Sequence, residues 1–347
     1  SWTVAGTLGV ALMGIATGLG LSPGITAGAV ISGAYFGDKM SPLSDTTNLA
    51  PAIAGTDLFT HIKHMLWTTG PSLVIALVIF LFIGLTTEIS GNAQGLELIQ
   101  TTLQNTFNIS IVSFIPIIVI FILAYNKVPA FPTILIGALL AGLFSAILQP
   151  QIVKNFVDQP ELSTSLVMIS GIWTALHSGF VLESGVEIVD DLLTRGGMAS
   201  MLNTIWLVIC ALTFGAVLET TNLLKKLVES VLSLANSTGS LIITTIATCI
   251  GVNIIAADQY ISIVLPGRMY RAEFARKKLA ARNLSRTLED SGTITSPLIP
   301  WNTCGAYMSA SLGVATFSYL PFCFFNIVNP IIAIIYAIFN IKIVKNN

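Results

Sequence analysis

Two aspartates, a lysine, two serines, two threonines and an asparagine stand together in "GDKMSPLSDTTNLAP", residues 37–51. Ser41, Ser44, Asp45 and Asn48 are spaced i, i+3, i+4 and i+7, so on a helix they share one face. Pro42 lacks an N–H and suits the first helical position, and Ser41 suits the N-cap, which predicts a helix that starts here. Asp38 lies three residues ahead of that cap, and Thr46 adds a hydroxyl beside Asp45. Carboxylate, hydroxyl and amide oxygens suit a hard cation such as Na+, by the logic that governs Ca2+ and Mg2+. A carboxyl group in a low-dielectric setting also holds a proton more firmly, so one group can take Na+ and H+ in turn. The competing reading is a polar loop outside a membrane, with Asp38 and Asp45 solvated or capping.

A second tract echoes the first. In "SRTLEDSGTITSPLIPWNTCG", Ser296-Pro297-Leu298 answers Ser41-Pro42-Leu43 and Asn302 answers Asn48. Glu289, Thr293, Ser296 and Thr303 fall at i, i+4, i+7 and i+14, with Pro297 and Pro300 predicting a helix start. Glu289 and Asp290 are its carboxylates; the alternative for both is to balance Arg286 at an interface. Asp258, in "GVNIIAADQYISIVLPG", has apolar flanks and only Asn253 and Gln259 as polar company. An aspartate so placed is a functional candidate, with a structural hydrogen bond to a neighbouring helix as the alternative. Asp38, Asp45 and Asp258 are therefore the carboxylates expected to ligate Na+.

The elements that carry these residues follow from composition. Only 10% of the 347 residues are charged, 54% are hydrophobic and the mean hydropathy is +0.83. So few charges cannot coat a soluble protein of ordinary make-up. Apolar runs approach the length that spans hydrocarbon as helix, and roughly ten crossings are expected, some interrupted. The alternation of a membrane barrel is missing, and "IVSFIPIIVIFILAY" is apolar all round, so the expected fold class is all-α, a polytopic helical membrane protein. The echo divides the chain into residues 1–148, the later part of a first repeat, a polar linker over 149–167, and a second repeat over 168–347. The partner of the section near 168–248 is expected ahead of Ser1. Repeated halves with broken helices are a common carrier architecture, with the cargo held near the midplane.

Seven of the sixteen Lys and Arg fall between Arg268 and Arg286, which reads as a cytoplasmic loop rather than a nucleic-acid surface. Four cysteines without CxxC spacing indicate neither a disulfide framework nor a metal site. His61 and His64 read as interfacial anchors beside Trp67, or as a pH sensor. Glu183, Glu187, Asp190, Asp191 and Arg195 lie in a segment that is either a re-entrant gate or an amphipathic surface helix. No nucleophile or metal constellation points to an enzyme, and no cofactor is expected.

"GAYFGDKMSPLSDTTNLAPAIAGTDLFTHIKHMLWTTGP", "NLSRTLEDSGTITSPLIPWNTCGAYMSASLGV" and "LLTRGGMASMLNTIWLVICALTFGAVLE" closely resemble NhaC-type sodium/proton antiporters of the ion-transporter superfamily. The resemblance implies a multi-pass carrier in the cytoplasmic membrane of a bacterium or archaeon, with inverted-topology repeats. Its cargo would be Na+ and H+, and a homodimer is compatible with it. Related carriers exchange sodium and protons with malate and lactate. For such small carboxylates, Lys39, Arg286 and the helix starts near Ser41 and Ser296 are the expected anion contacts.

Overall fold

The computed structural model describes the chain apart from residues 88–92, 127, 187–188, 191–192, 195 and 347. Helices dominate, and no strand longer than an isolated bridge occurs among the described residues. Among the described residues, four helices are long and apolar enough to cross a membrane: Leu58–Thr86, Phe131–Leu148, Met198–Thr220 and Thr238–Ile255. Two bent pairs, Glu97–Thr106 with Ile111–Leu123 and Thr316–Phe322 with Phe324–Ile338, raise that to six. This is fewer than the ten expected from apolar runs, because several runs fold as short or broken helices. The chain is a polytopic helical membrane protein. Val74, Leu77, Val78, Leu81, Phe82 and Leu85 of one spanning helix are 57–77% exposed, a surface suited to hydrocarbon rather than water.

The chain forms two compact units, one of Ser1–Ala16, Leu21–Glu88 and Thr204–Asn347, the other of Thr17–Gly20 and Ile89–Asn203. Every residue singled out around the two "SPL" tracts lies in the first. Eight helices of that unit position them: α1 (Pro23–Met40), α2 (Asp45–Ala54), α3 (Leu58–Thr86), α4 (Thr238–Ile255), α5 (Gln259–Arg276), α6 (Ala281–Leu288), α7 (Thr303–Leu312) and α8 (Phe324–Ile338).

Pro42 ends a helix instead of starting one. The residue before a proline is pushed out of the α region, and Ser41 is extended at φ −84°, ψ 125°. The next helix begins at Asp45 and stops at Gly55, which takes the left-handed conformation at φ 84°. Asn48 Nδ2 sews the break by donating to the carbonyls of Pro42 (2.8 Å) and Ser44 (2.6 Å). Ser41, Ser44, Asp45 and Asn48 thus do not form the single helical face expected from their spacing. The second tract behaves alike: Ser296–Leu298 is one 3-10 turn, and the helix begins at Thr303 with Asn302 as N-cap. Between α6 and that turn, Glu289–Thr293 forms a π-helical turn, the kind of irregularity often found at functional sites. α4 and α5 are one apolar stretch broken at 256–258, where Ala257 has φ 56° and Asp258 caps α5 by accepting from Ile261 N at 2.9 Å.

The break at 296–302 packs so closely that a Cβ on Gly305 would lie 2.0 Å from the Ile299 carbonyl oxygen. Gly305→Ala is expected to destabilise the protein by about 1–3 kcal/mol, because backbone rather than a flexible side chain must move. A lowered unfolding temperature in detergent would register it; an unchanged one would mean that the break relaxes freely.

The segment from Arg268 to Arg286 is not a basic loop. Arg268, Arg271 and Arg276 belong to α5, only 277–280 connect, and Arg286 is buried in α6 at 2% exposure. His61 and His64 are also buried, on the face of α3 that meets α6, where His61 Nδ1 lies 2.8 Å from Ser285 Oγ. Their burial removes the anchoring role expected of them; Trp67 beside them is exposed, with the Lys342 ammonium 3.8 Å from its ring centre.

Candidate functional site

Near the end of α1, Lys39 is fully buried and ion-paired with Asp290 from the π-helical turn. Its ammonium also donates to Asn329 Oδ1 on α8. Thr68 Oγ1 on α3 donates to Asp290 Oδ1 at 2.9 Å, and Asn329 Nδ2 donates to Ser72 Oγ at 3.2 Å. Arg286 Nε stands 3.8 Å from Asp290 Oδ2, and Arg286 Nη1 donates to the Lys342 carbonyl at 3.2 Å. Lys39 on α1, Thr68 on α3 and Arg286 on α6 thus converge on one carboxylate, and Asn329 on α8 joins through Lys39. Burying so much charge is tolerable only with partners, and here one anion serves two cations.

Glu289, beside it, has none. It is fully buried, neither carboxyl oxygen has a partner at ordinary hydrogen-bond distance, and the Thr293 hydroxyl one turn on, also buried and without a partner at that distance, is the polar group that faces it. Lys39 and Asp38 lie within electrostatic reach of the Glu289 carboxyl. A bare carboxylate without donors is too costly to bury, so this group must carry a proton or a cation. The surrounding charge pulls the other way. Lys39, Arg286 and Asp290 together leave one positive charge, which an ionised Glu289 cancels and a loaded Glu289 does not. The expectation that Glu289 and Asp290 balance Arg286 at an interface is replaced by a sealed cluster.

A second group of polar residues ties the breaks to each other. Asn302 Nδ2 donates to Asn253 O and Oδ1, both at 3.1 Å, and Asn253 Nδ2 donates to Gly292 O at 2.6 Å. Thr303 N donates to Ala257 O at 3.0 Å, and Trp301 Nε1 to Ile254 O at 2.7 Å. Tyr260 OH donates to Asp45 Oδ2, linking α5 to α2, and Tyr35 OH lies 3.4 Å from Ser296 Oγ. Cys304 Sγ donates to Gln259 Oε1 at 2.8 Å. Within this group Ser41 Oγ accepts from Leu43 N, Thr46 N donates to Asp45 Oδ1, and Ser296 Oγ donates to Thr293 O.

Asp38, Asp45 and Asp258 do not gather as one Na+ cage. Asp258 caps α5, Asp45 accepts from Tyr260, and Asp38 accepts from Ser1 Oγ at 2.9 Å. No group of three or more His, Cys, Asp or Glu fit for a metal ion occurs among the described residues. Lys39 and Arg286, the expected anion contacts, are both buried and engaged. Thr68, Ser72 and Asn329 went unseen in the sequence. Their signal was faint: polar residues at i and i+4 inside an apolar run, and an Asn-Pro pair inside another. In the other unit Asp190 closes a turn on Ser184, at 2.7 Å from its N–H, while Glu187, Asp191 and Arg195 lie outside the described residues.

A model of the family described as "Na+/H+ antiporter family" matches residues 33–341. The chain is 41% identical to the Na(+)/H(+) antiporter NhaC of Alkalihalophilus pseudofirmus over 99% of its own length and 71% of that protein's. It is 37% identical to the arginine/ornithine antiporter ArcD of Halobacterium salinarum, over 96% and 66% of the two chains. With the malate-2H(+)/Na(+)-lactate antiporter of Bacillus subtilis it shares 35% identity, over 97% and 69%. No solved structure matches the chain.

Proposed function

The chain belongs to the Na+/H+ antiporter family, and from that premise we propose that it exchanges Na+ for H+ across the cytoplasmic membrane of a bacterium or archaeon. Glu289 is the group that holds either ion. The observation that carries this reading is its carboxyl, sealed from solvent with both oxygens unpartnered and an equally unpartnered Thr293 hydroxyl beside it. One carboxyl that accepts Na+ or H+, in a protein that reorients only when loaded, exchanges the two by competition. The helix breaks at 256–258 and 296–302, joined through Asn253, Asn302 and Thr303, and the break at Pro42, tied to them by the Tyr260–Asp45 bond, supply the irregular backbone that such carriers place around their cargo. The halves over 1–148 and 168–347 remain our assignment of the two repeats that move against each other. On this reading the protein is a carrier, not an enzyme, and needs no cofactor.

Relatives named for arginine/ornithine and for malate/lactate stand at comparable identity. What favours the small cation is that Lys39 and Arg286, the side chains able to hold a carboxylate, are already neutralised or hydrogen-bonded. The test uses the full-length protein in everted vesicles carrying a preset pH gradient. Adding NaCl is expected to collapse the gradient without any organic acid. Collapse only when malate and lactate are supplied would replace this reading with carboxylate exchange.

A further inference from the structure

Resting on the Na+/H+ reading, we propose that Asp290 is a specificity-determining residue: it occupies Lys39 and so keeps a carboxylate-binding ammonium out of the transport site. The argument starts from position. Asp290 and Glu289 are neighbours on the π-helical turn, and Lys39 lies within electrostatic reach of Glu289. Any path that brings Na+ to Glu289 therefore brings solute close to Lys39.

An ammonium in a water-poor pocket is a strong site for a small organic anion, since charge-assisted hydrogen bonds gain in low dielectric. Here that capacity is spent. Lys39 donates to Asp290 and to Asn329 Oδ1, and no part of it is exposed. Thr68, whose hydroxyl also reaches the Met65 carbonyl, donates to the same Asp290 oxygen, Oδ1, that Lys39 contacts. Its other oxygen, Oδ2, has no hydrogen bond and faces Arg286 across 3.8 Å. The carboxylate of Asp290 thus stands where the carboxylate of a lactate or malate would bind. It acts as a built-in competitor for the one cation that such a substrate needs.

The test is Asp290→Asn in the full-length carrier, an isosteric change that leaves Lys39 with an amide in place of an anion. Na+-driven proton movement is measured in everted vesicles against rising malate and, separately, lactate. Wild type is expected to be indifferent to both acids, and the variant to be inhibited or stimulated at concentrations at least about tenfold lower than any that affect wild type. Lys39→Met/Asp290→Asn is expected to lose the gained response. Should Asp290→Asn fail to accumulate, Asp290→Ser, which adds room for the acid, carries the same comparison. A folded variant that exchanges Na+ and stays indifferent to both acids would overturn the proposal, as would wild-type exchange inhibited competitively by either. Failure of the underlying reading looks different, since wild type would then show no Na+-driven movement without organic acid.

Discussion

Glu289→Gln is expected to abolish Na+-driven proton movement, by at least about a hundredfold, the lower end of what loss of a proton-transferring group costs. Glutamine keeps the volume and the neutral charge of a protonated glutamate, so the buried cluster stays as balanced as it is with a proton in place. What it removes is the ability to release that proton and to offer Na+ a negative oxygen. The fold should survive, because neither Glu289 oxygen is bonded to anything that would lose a partner. Asp258→Asn is the informative contrast. Asp258 Oδ1 caps α5 at Ile261 N, and asparagine is as good an N-cap as aspartate. That variant is expected to keep most of the exchange. Retention of more than about a tenth of the wild-type rate by a normally accumulated Glu289→Gln protein would move the exchanging group elsewhere. Loss in Asp258→Asn alone would point to the break at 256–258.

Much of this arrangement was legible from residue types. Low charge and long apolar runs placed the chain in a bilayer, and the echo of Ser-Pro-Leu marked two helix breaks. The direction of those breaks was not legible. A Ser-Pro pair suits a helix start, because proline tolerates the first turn, and equally a helix end, because serine before proline leaves the α region. Asn48 and Gly55 decide for the end at Pro42 by closing the break and stopping the next helix. The difference between Glu289 and Asp290 was also hidden. Adjacent carboxylates read alike in sequence, and their roles separate only through Lys39 and Thr68, whose hydrogen bonds the fold gives to Asp290 and not to Glu289. His61 and His64 show the same limit. Their spacing beside an exposed tryptophan suggested a membrane surface, while packing against α6 buries both.

Removing one partner of the buried pair should cost far more than removing both. Lys39→Met strips the Asp290 carboxylate of the cation that hydrogen-bonds it and leaves only Arg286, 3.8 Å from its other oxygen, with no water to screen it. Breaking a buried ion pair by truncating one partner typically costs about 3–5 kcal/mol, a large part of the stability of most proteins. Lys39→Met is therefore expected to accumulate poorly and to unfold early in detergent, whatever Na+ is present. Lys39→Met/Asp290→Asn removes both charges of the pair together, and the new amide oxygen can still accept from Thr68 Oγ1. The double variant should recover at least about 2 kcal/mol relative to Lys39→Met, a coupling in the range that double-mutant cycles give for contacting residues. Unfolding temperatures of wild type, both single variants and the double variant close that cycle. If the double variant is no more stable than Lys39→Met, Lys39 is held by packing of its methylene stem and not by Asp290, and the ion pair would lose its place at the centre of the site. Recovery of stability together with loss of the acid response would assign both roles to the pair: it holds the helices together as two charges, and it discriminates between cargoes because Asp290 keeps Lys39 occupied.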